Sequence, residues 1–356
     1  MTQLDVITTP DALREIAPDW DAALVRDGGL ECALTSHWLI NYLEAFGTGT
    51  DARILCVRDD AGAVIGQAAF MGSKQRGMPV LSSLTNLYAN RSTIVGTQAG
   101  LDAIGTWIAG QSVGLVRIGR SAPSETLHKL VPNSRVSQSY DLPVISTDTD
   151  MEAYLAAKSG NFRKSLKRAK TKHEGFRAEF LKRPQDHIDD MLSVSRKTWK
   201  FDAGTAITSD PSVQRFFTGL ATAGPETGPV QPVLLLIYDE ADQPVAFAFM
   251  LLFNAVLFGL KLGHDPDISD RYPGFAILNV LTQYAFEQDE VALIDLDAVG
   301  PHGEYKVRWA TEMRHLENVV GFPNTAAGFV GRGAWTMRGW LRDVKAAAKS
   351  KTERTG

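Results

Sequence analysis

Cysteine is nearly absent: Cys32 and Cys56 are the whole supply in 356 residues. Two thiols exclude a disulfide framework and a thiolate zinc site, and they suit a reducing cytoplasm. Histidine is also sparse, seven in all with no H-x-x-H or H-E-x-x-H spacing, so no metal site is expected. No apolar run approaches the roughly 20 residues that a membrane span needs. The longest, VAFAFMLLF followed by NAVLFGLKLG, is broken at Asn254 and reads as two strands. The first twenty residues carry acids in place of an apolar segment, so no signal peptide is expected. Excess positive charge is missing too: a formal net charge of −4 excludes a general nucleic-acid binder. The chain is therefore expected to be soluble and cytoplasmic. Its 44% hydrophobic and 22% charged residues are ordinary globular composition, and its length predicts about two domains, each with its own core.

A repeat lies at an offset of 180. Residues 54–70, ILCVRDDAGAVIGQAAF, and 234–250, LLLIYDEADQPVAFAFM, both read apolar strand, acidic turn, apolar strand. Asp59/Asp239, Ala61/Ala241 and Ala68/Ala248 align without a gap, and each stretch predicts a hairpin. The same offset carries VGLVRIG (113–119) onto LIDLDAV (293–299), with helical patterns between at 98–110 and 274–289. In TSHWLINYLEAFG, Trp38, Tyr42 and Ala45 fall at helical spacing. An antiparallel meander whose last strand is reached through a helix predicts an α+β fold, here duplicated in tandem. The domains are expected at 1–143 and 144–322, with 323–356 as a tail.

Two stretches stand out chemically. In DRYPGFAILN (270–279), a Pro-Gly pair opens a helical pattern just after an apolar strand. Proline suits the first helical position, and such a helix start offers bare amides and a positive dipole end to an anion. It can equally be a helix cap. In LIDLDAVGPHGEYKVRWATEM, Asp295 and Asp297 alternate with Leu296, which predicts one strand face lining a cleft or a solvated surface. A turn, Gly300-Pro301-His302-Gly303, then delivers Glu304, Tyr305, Lys306, Arg308 and Trp309.

These stretches resemble the GNAT (Gcn5-related N-acetyltransferase) superfamily, in its two-domain CelD-like and FemAB-like branch. The resemblance runs over most of residues 30–320, through SHWLINYLEAFG, SGNFRKSLKRAKTK, SRKTW, HDPDISDRYPG and IDLDAVGPHGEYKVRWATE. It implies tandem GNAT domains and N-acyl transfer, with the working site in the second copy and the first copy non-catalytic. It also implies that the pyrophosphate of an acyl-CoA donor rests on the loop between strand VLFGLKLG and helix FAILNVLTQYAFE. Arg271, Tyr272, Pro273, Gly274 and Phe275 stand there in place of the family's usual spaced glycines. Position 91, which is 180 earlier, begins RSTI and has neither Pro nor Gly. Amine acylation needs a deprotonated amine, a stabilised oxyanion and a proton for the leaving thiolate. Asp297, Glu304 or His302 can take the proton, Tyr305 can supply the acid, and Lys306 can steady the negative charge. His264, at a point where such folds often open, can sit near the thioester or bond to Asp265. Asp295, Arg308 and Trp309 are expected at the acceptor, or as an ion pair and a core residue.

Residues 158–183 hold ten Lys/Arg against Glu174 and Glu179. Phe162, Leu166 and Ala169 give this helix one apolar stripe, leaving a cationic outer face that includes Arg163 and Lys167. It fits the phosphates of an acceptor, an anionic lipid surface or an aminoacyl-tRNA stem, or plain solvent. Trp199, ahead of KFDAGTAITSDPS, is expected to wall the acceptor pocket or to be buried. In the tail, Met337, Trp340, Leu341, Val344 and Ala348 share a face, with Arg338, Arg342, Lys345, Lys349 and Lys351 elsewhere. That helix can pack on the protein or lie on the inner face of a membrane. The expected function is a bacterial acyl-CoA-dependent N-acyltransferase without tightly bound cofactor or metal. Its acceptor would be an amine of a cell-envelope sugar, glycolipid or long-chain amino base. The alternatives are an aminoacyl-tRNA-dependent ligase and a non-catalytic binding module in polysaccharide assembly.

Overall fold

The acidic turns of the sequence repeat close two hairpins in the same way. Asp59 Oδ1 accepts the N–H groups of Ala61 and Ala63 at 3.0 and 2.9 Å. Asp239 Oδ1 accepts those of Ala241 and Gln243, both at 2.9 Å. A carboxylate that bonds its own downstream backbone fixes a tight turn. The computed structural model describes residues 2–29, 31–47, 50–84, 88–89, 91–222, 228–300 and 303–337.

The first half contributes β1 (Gln3–Ile7), β2 (Asp51–Arg58), β3 (Val64–Gln75), β4 (Met78–Ser83), β5 (Val95–Gly96), β6 (Leu115–Ser121) and β7 (Arg135–Ser146). The second contributes β8 (Arg177–Leu181), β9 (Gln231–Tyr238), β10 (Pro244–Phe253), β11 (Val256–His264), β12 (Leu293–Asp295) and β13 (Glu312–Gly321). The meanders β2-β3-β4 and β9-β10-β11 are antiparallel. Each is extended by a parallel strand reached through a helix, β6 beside β4 and β12 beside β11. Those helices are Gln98–Ala109 and Pro273–Glu287. This is a mixed α+β fold with a mostly antiparallel sheet, repeated in tandem.

The halves are joined more closely than a two-domain string. The order along the sheet is β1-β2-β3-β4-β6-β13-β7-β12-β11-β10-β9-β8, with β5 on β3. Thus β7 pairs with β12 of the second half, and β13 pairs with β6 of the first. The exchanged strands pair with each other at the centre, from Glu312↔Val144 to Val320↔Arg135. Position 143/144 falls inside β7.

Packing follows the strand alternation. On one face each half buries its own cluster: Leu55, Val57 and Phe70 in the first, Leu235, Ala248 and Met250 in the second. On the other face a single cluster runs through both halves, where Trp38 meets Phe216 edge-on at 5.0 Å. The expectation of two separate cores therefore holds for one face of the sheet. On the other face, helix Ser36–Phe46 docks on helix Pro211–Thr222, and the apolar stripe of Trp38, Tyr42 and Ala45 has the opposite half as its partner. Among the described residues no helix is long and apolar enough to cross a membrane.

Candidate active site

Parting strands create the site. β11 and β12 pair only from Val256↔Leu293 to Phe258↔Asp295. Beyond that, Leu262, Gly263 and His264 stay on one side while Asp297 and Ala298 turn away on the other, and a cavity of about 640 Å³ opens between them. Its wall also includes Arg120, Trp199, Lys200, Tyr272, Pro273, Gly274, Phe275, Tyr305 and Lys306.

The Pro-Gly stretch forms the rim as a helix start. Tyr272 is in the left-handed region with φ of 57°, and Pro273 takes the first helical position. The Phe275 and Ala276 N–H groups both bond to the Tyr272 carbonyl, at 3.0 and 3.1 Å. The sequence suggested a row of bare amides, and two of them are taken in this way. Gly274 lines the cavity, and a Cβ built there would meet nothing within 4 Å. The backbone is open to a ligand at that residue, and the helix dipole adds positive potential.

Asp297 is the acidic group of the wall. Its φ of 65° is one that non-glycine residues seldom adopt. Its N–H donates to Asp295 Oδ1 at 2.8 Å, and its own Oδ1 accepts from Arg120 Nη1 at 3.0 Å. Burial raises its pKa, with Lys306 and Arg120 opposing. Burial lowers the pKa of Lys306, while Asp297 and Asp295 hold it up. Tyr305 is 41% exposed as a whole, and partial burial and then Asp297 raise its phenol pKa, which keeps it protonated. His264 is lowered by burial and by Lys200, so its imidazole is neutral at pH 7. Lys200 itself donates to the Leu262 carbonyl at 2.7 Å. The wall thus combines a phenol, a part-buried carboxylate, a neutral imidazole, two lysines and an arginine beside an open helix start.

Other predicted residues lie elsewhere. Asp295 is not on a cleft face: β12 ends there, the residue is 0% exposed, and Arg91 Nη2 lies 3.2 Å from its carboxylate. The alternation failed because Asp297 leaves the strand through its left-handed turn. Trp309 is in the core, edge-on to Phe162 at 4.9 Å. Arg308 reaches Ser165 and lies over the Phe162 and Phe275 rings, outside the cavity wall. Arg271 lies over Phe176 and faces Glu240 at 3.9 Å, and it is not on the wall either. Glu304 is exposed at the start of helix Glu304–Val307. Arg163 donates to the carbonyls of Leu155, Ala156 and Lys158, closing the end of the preceding helix. Lys167 is exposed on helix Gly160–Lys172, whose Phe162, Leu166 and Ala169 are buried. That helix still borders the rim, with Arg168 5.2 Å from the Tyr272 ring. His302 and tail residues 338–356 lie outside the described residues. Met337, within them, is 63% exposed, while Trp335 packs on Phe322.

Sequence reading missed Arg120 and Lys200. Lys200 adjoins Trp199, which is 58% exposed on the wall, so its neighbour was a usable signal. Arg120 comes from the first half, 177 residues from its partner Asp297, and no local pattern announces it.

Residues 156–307 match the family model described as "Acetyltransferase (GNAT) domain". That segment holds the whole wall except Arg120. A comparison with curated proteins finds no match. Among solved structures, the chain is similar to FemX, at 12% identity and a TM-score of 0.58, covering 88% of this chain and 96% of that one. L-PGS from Bacillus licheniformis gives 12% and 0.53, with 91% and 96% covered. A tandem GNAT protein from the clavulanic acid biosynthesis pathway gives 13% and 0.50, with 90% and 98% covered. At such identities the likeness speaks for the fold. Residues 156–307 thus match a GNAT domain model, and the chain as a whole has a tandem GNAT fold.

Proposed function

We propose that this protein transfers an acyl group from acyl-CoA to an amine. The observation that carries the reading is the meeting of two features in one cavity: the open helix start at Gly274, and the Asp297–Lys306–Tyr305 group. The first suits a diphosphate and the second suits acyl transfer. Three basic side chains, Lys200, Lys306 and Arg120, against the one carboxylate of Asp297 on the wall suit an anionic donor. In this reading Asp297 receives the amine proton, directly or through water, with His264 as a second acceptor. The amine nitrogen bonds to the thioester carbon as the C–S bond breaks. Lys306 offsets charge on the carbonyl oxygen, and the protonated Tyr305 returns a proton to the sulfur.

The acceptor in this reading is an amine on a phosphate-bearing or membrane-held envelope molecule. The basic helix Gly160–Lys172 supports it, because Arg168 and Lys172 flank the rim residue Tyr272 at 5.2 and 5.9 Å. The same cations support a second reading, an aminoacyl-tRNA donor. A panel of acyl-CoAs, assayed for thermal stabilisation and thiol release, separates the two. Stabilisation and release with a CoA species are expected. Stabilisation by aminoacyl-tRNA alone, weakened by salt and by Lys167→Glu, would move the donor to tRNA.

A further inference from the structure

Three ionisable side chains lie out of solvent where the halves meet, and the acyl-transfer reading leaves them without a task. Glu31, Arg91 and Asp295 are 9, 5 and 0% exposed. Arg91 Nε is 3.0 Å from Glu31 Oε2, Nη2 is 3.2 Å from Asp295 Oδ2, and the guanidinium lies 5.5 Å from the Phe258 ring. Glu31 and Arg91 belong to the first half; Asp295 ends β12 of the second. Arg91 stands 180 residues before Arg271, so the first copy places a buried arginine where the second carries its Pro-Gly loop. Buried ion groups are a poor source of stability, since apolar replacements often do as well. What this group contacts is more telling.

The second oxygen of Asp295 accepts the Asp297 N–H at 2.8 Å, closing the turn that holds Asp297 at φ of 65°. That turn brings the Asp297 carboxylate to the cavity wall, where Arg120 donates to it at 3.0 Å. Arg120 is itself held: its N–H donates to Asn318 Oδ1 at 2.8 Å, its φ is 50°, and its guanidinium lies 5.9 Å from the Tyr140 ring. The first half therefore holds one carboxylate of the second twice, once through its backbone and once through its side chain.

We propose that the first half is a working part of the active site: Arg120 sets the charge of Asp297, and Glu31–Arg91–Asp295 positions its backbone. The charged and titratable groups facing Asp297 are Lys306 and Tyr305 from helix Glu304–Val307, Arg120 from β6 and Asp295 from β12. Lys306 and Arg120 favour the ionised carboxylate, whereas burial and Asp295 disfavour it. Removing Arg120 and neutralising Asp295 must therefore move Asp297 in opposite directions.

The test uses the full chain with 13C-labelled aspartate, followed by NMR through a pH titration; the spectrum of Asp297→Asn identifies the Asp297 signal. In Arg120→Gln the Asp297 midpoint should rise by about one to three pH units, and Arg120→Lys should restore most of it. In Asp295→Asn, which keeps an oxygen for the Asp297 N–H, the midpoint should fall. An unmoved midpoint in a folded Arg120→Gln protein overturns the role of Arg120. For positioning, Arg91→Lys keeps the charge and shortens the reach. Turnover should then fall by about 10- to 100-fold with donor KM unchanged. Wild-type kcat in a folded Arg91→Lys protein overturns the positioning role. This last arm rests on the acyl-transfer reading. If the wild-type protein turns over no acyl-CoA, that reading fails, and the NMR titration still decides whether Arg120 sets the charge of Asp297.

Discussion

Replacing Gly274 with aspartate separates folding from donor binding. The backbone there is ordinary helix, and a Cβ at that residue meets nothing within 4 Å, so the new side chain enters open space. It sits in the first turn of helix Pro273–Glu287, where a carboxylate favours the dipole by about 0.3–1 kcal/mol. Stability should hold or rise slightly. Binding should go the other way. A carboxylate about 4–8 Å from one phosphate charge, at an effective dielectric of about 20, is repelled by about 2–4 kcal/mol. That corresponds to a donor Kd roughly 30- to 1000-fold weaker, less at high salt. Calorimetric titration with acyl-CoA and a thermal melt read the two effects separately, and Gly274→Ala controls for side-chain bulk. If Gly274→Asp melts like wild type and binds acyl-CoA within about threefold of it, the helix start is a cap alone.

Asp297→Asn should cut kcat by about 10²- to 10⁴-fold, and Lys306→Ala by a similar factor, with little change in melting; near-native turnover in both would move the chemistry elsewhere. Trp309→Ala should destabilise by about 3–5 kcal/mol in urea unfolding, because the residue is 0% exposed between Phe162 and Phe275. Lost turnover without lost stability would return Trp309 to the acceptor site. Burial raises the Glu31 pKa from 4.5 to about 7, with Arg91 opposing. The folded state thus holds a proton that the unfolded state releases, a contribution complete below pH 4.5 and lost as pH rises through 7. Glu31→Gln removes the titration, so its Tm relative to wild type should climb between pH 4.5 and 7.5. A constant difference across that range would mean that pairing with Arg91 outweighs burial.

The legible parts of this molecule were local. Asp59 and Asp239 announced their turns because a carboxylate two and four residues before its donors acts within one short loop. Phe162, Leu166 and Ala169 announced the docked face of the basic helix because helical spacing puts them on one side. Tyr272, Pro273, Gly274, Tyr305 and Lys306 reached the cavity wall as a group because each lies at the end of a readable element. Asp295 and Asp297 misled for the same local reason. Alternation assumes a continuing strand, and Asp297 is turned out of it by a bond from its N–H to the Asp295 side chain.

The amino-acid pattern by itself determined the duplicated α+β plan, the hairpins and the helix start at Pro273, since each depends on residues close in the chain. Only the tertiary structure decided that β7 and β13 change places, that the halves share a core on one face, and that Arg120 and Arg91 converge on Asp297 and Asp295. Sheet pairing and burial join residues more than a hundred positions apart, and a one-dimensional pattern has no term for which distant strand a given strand will choose.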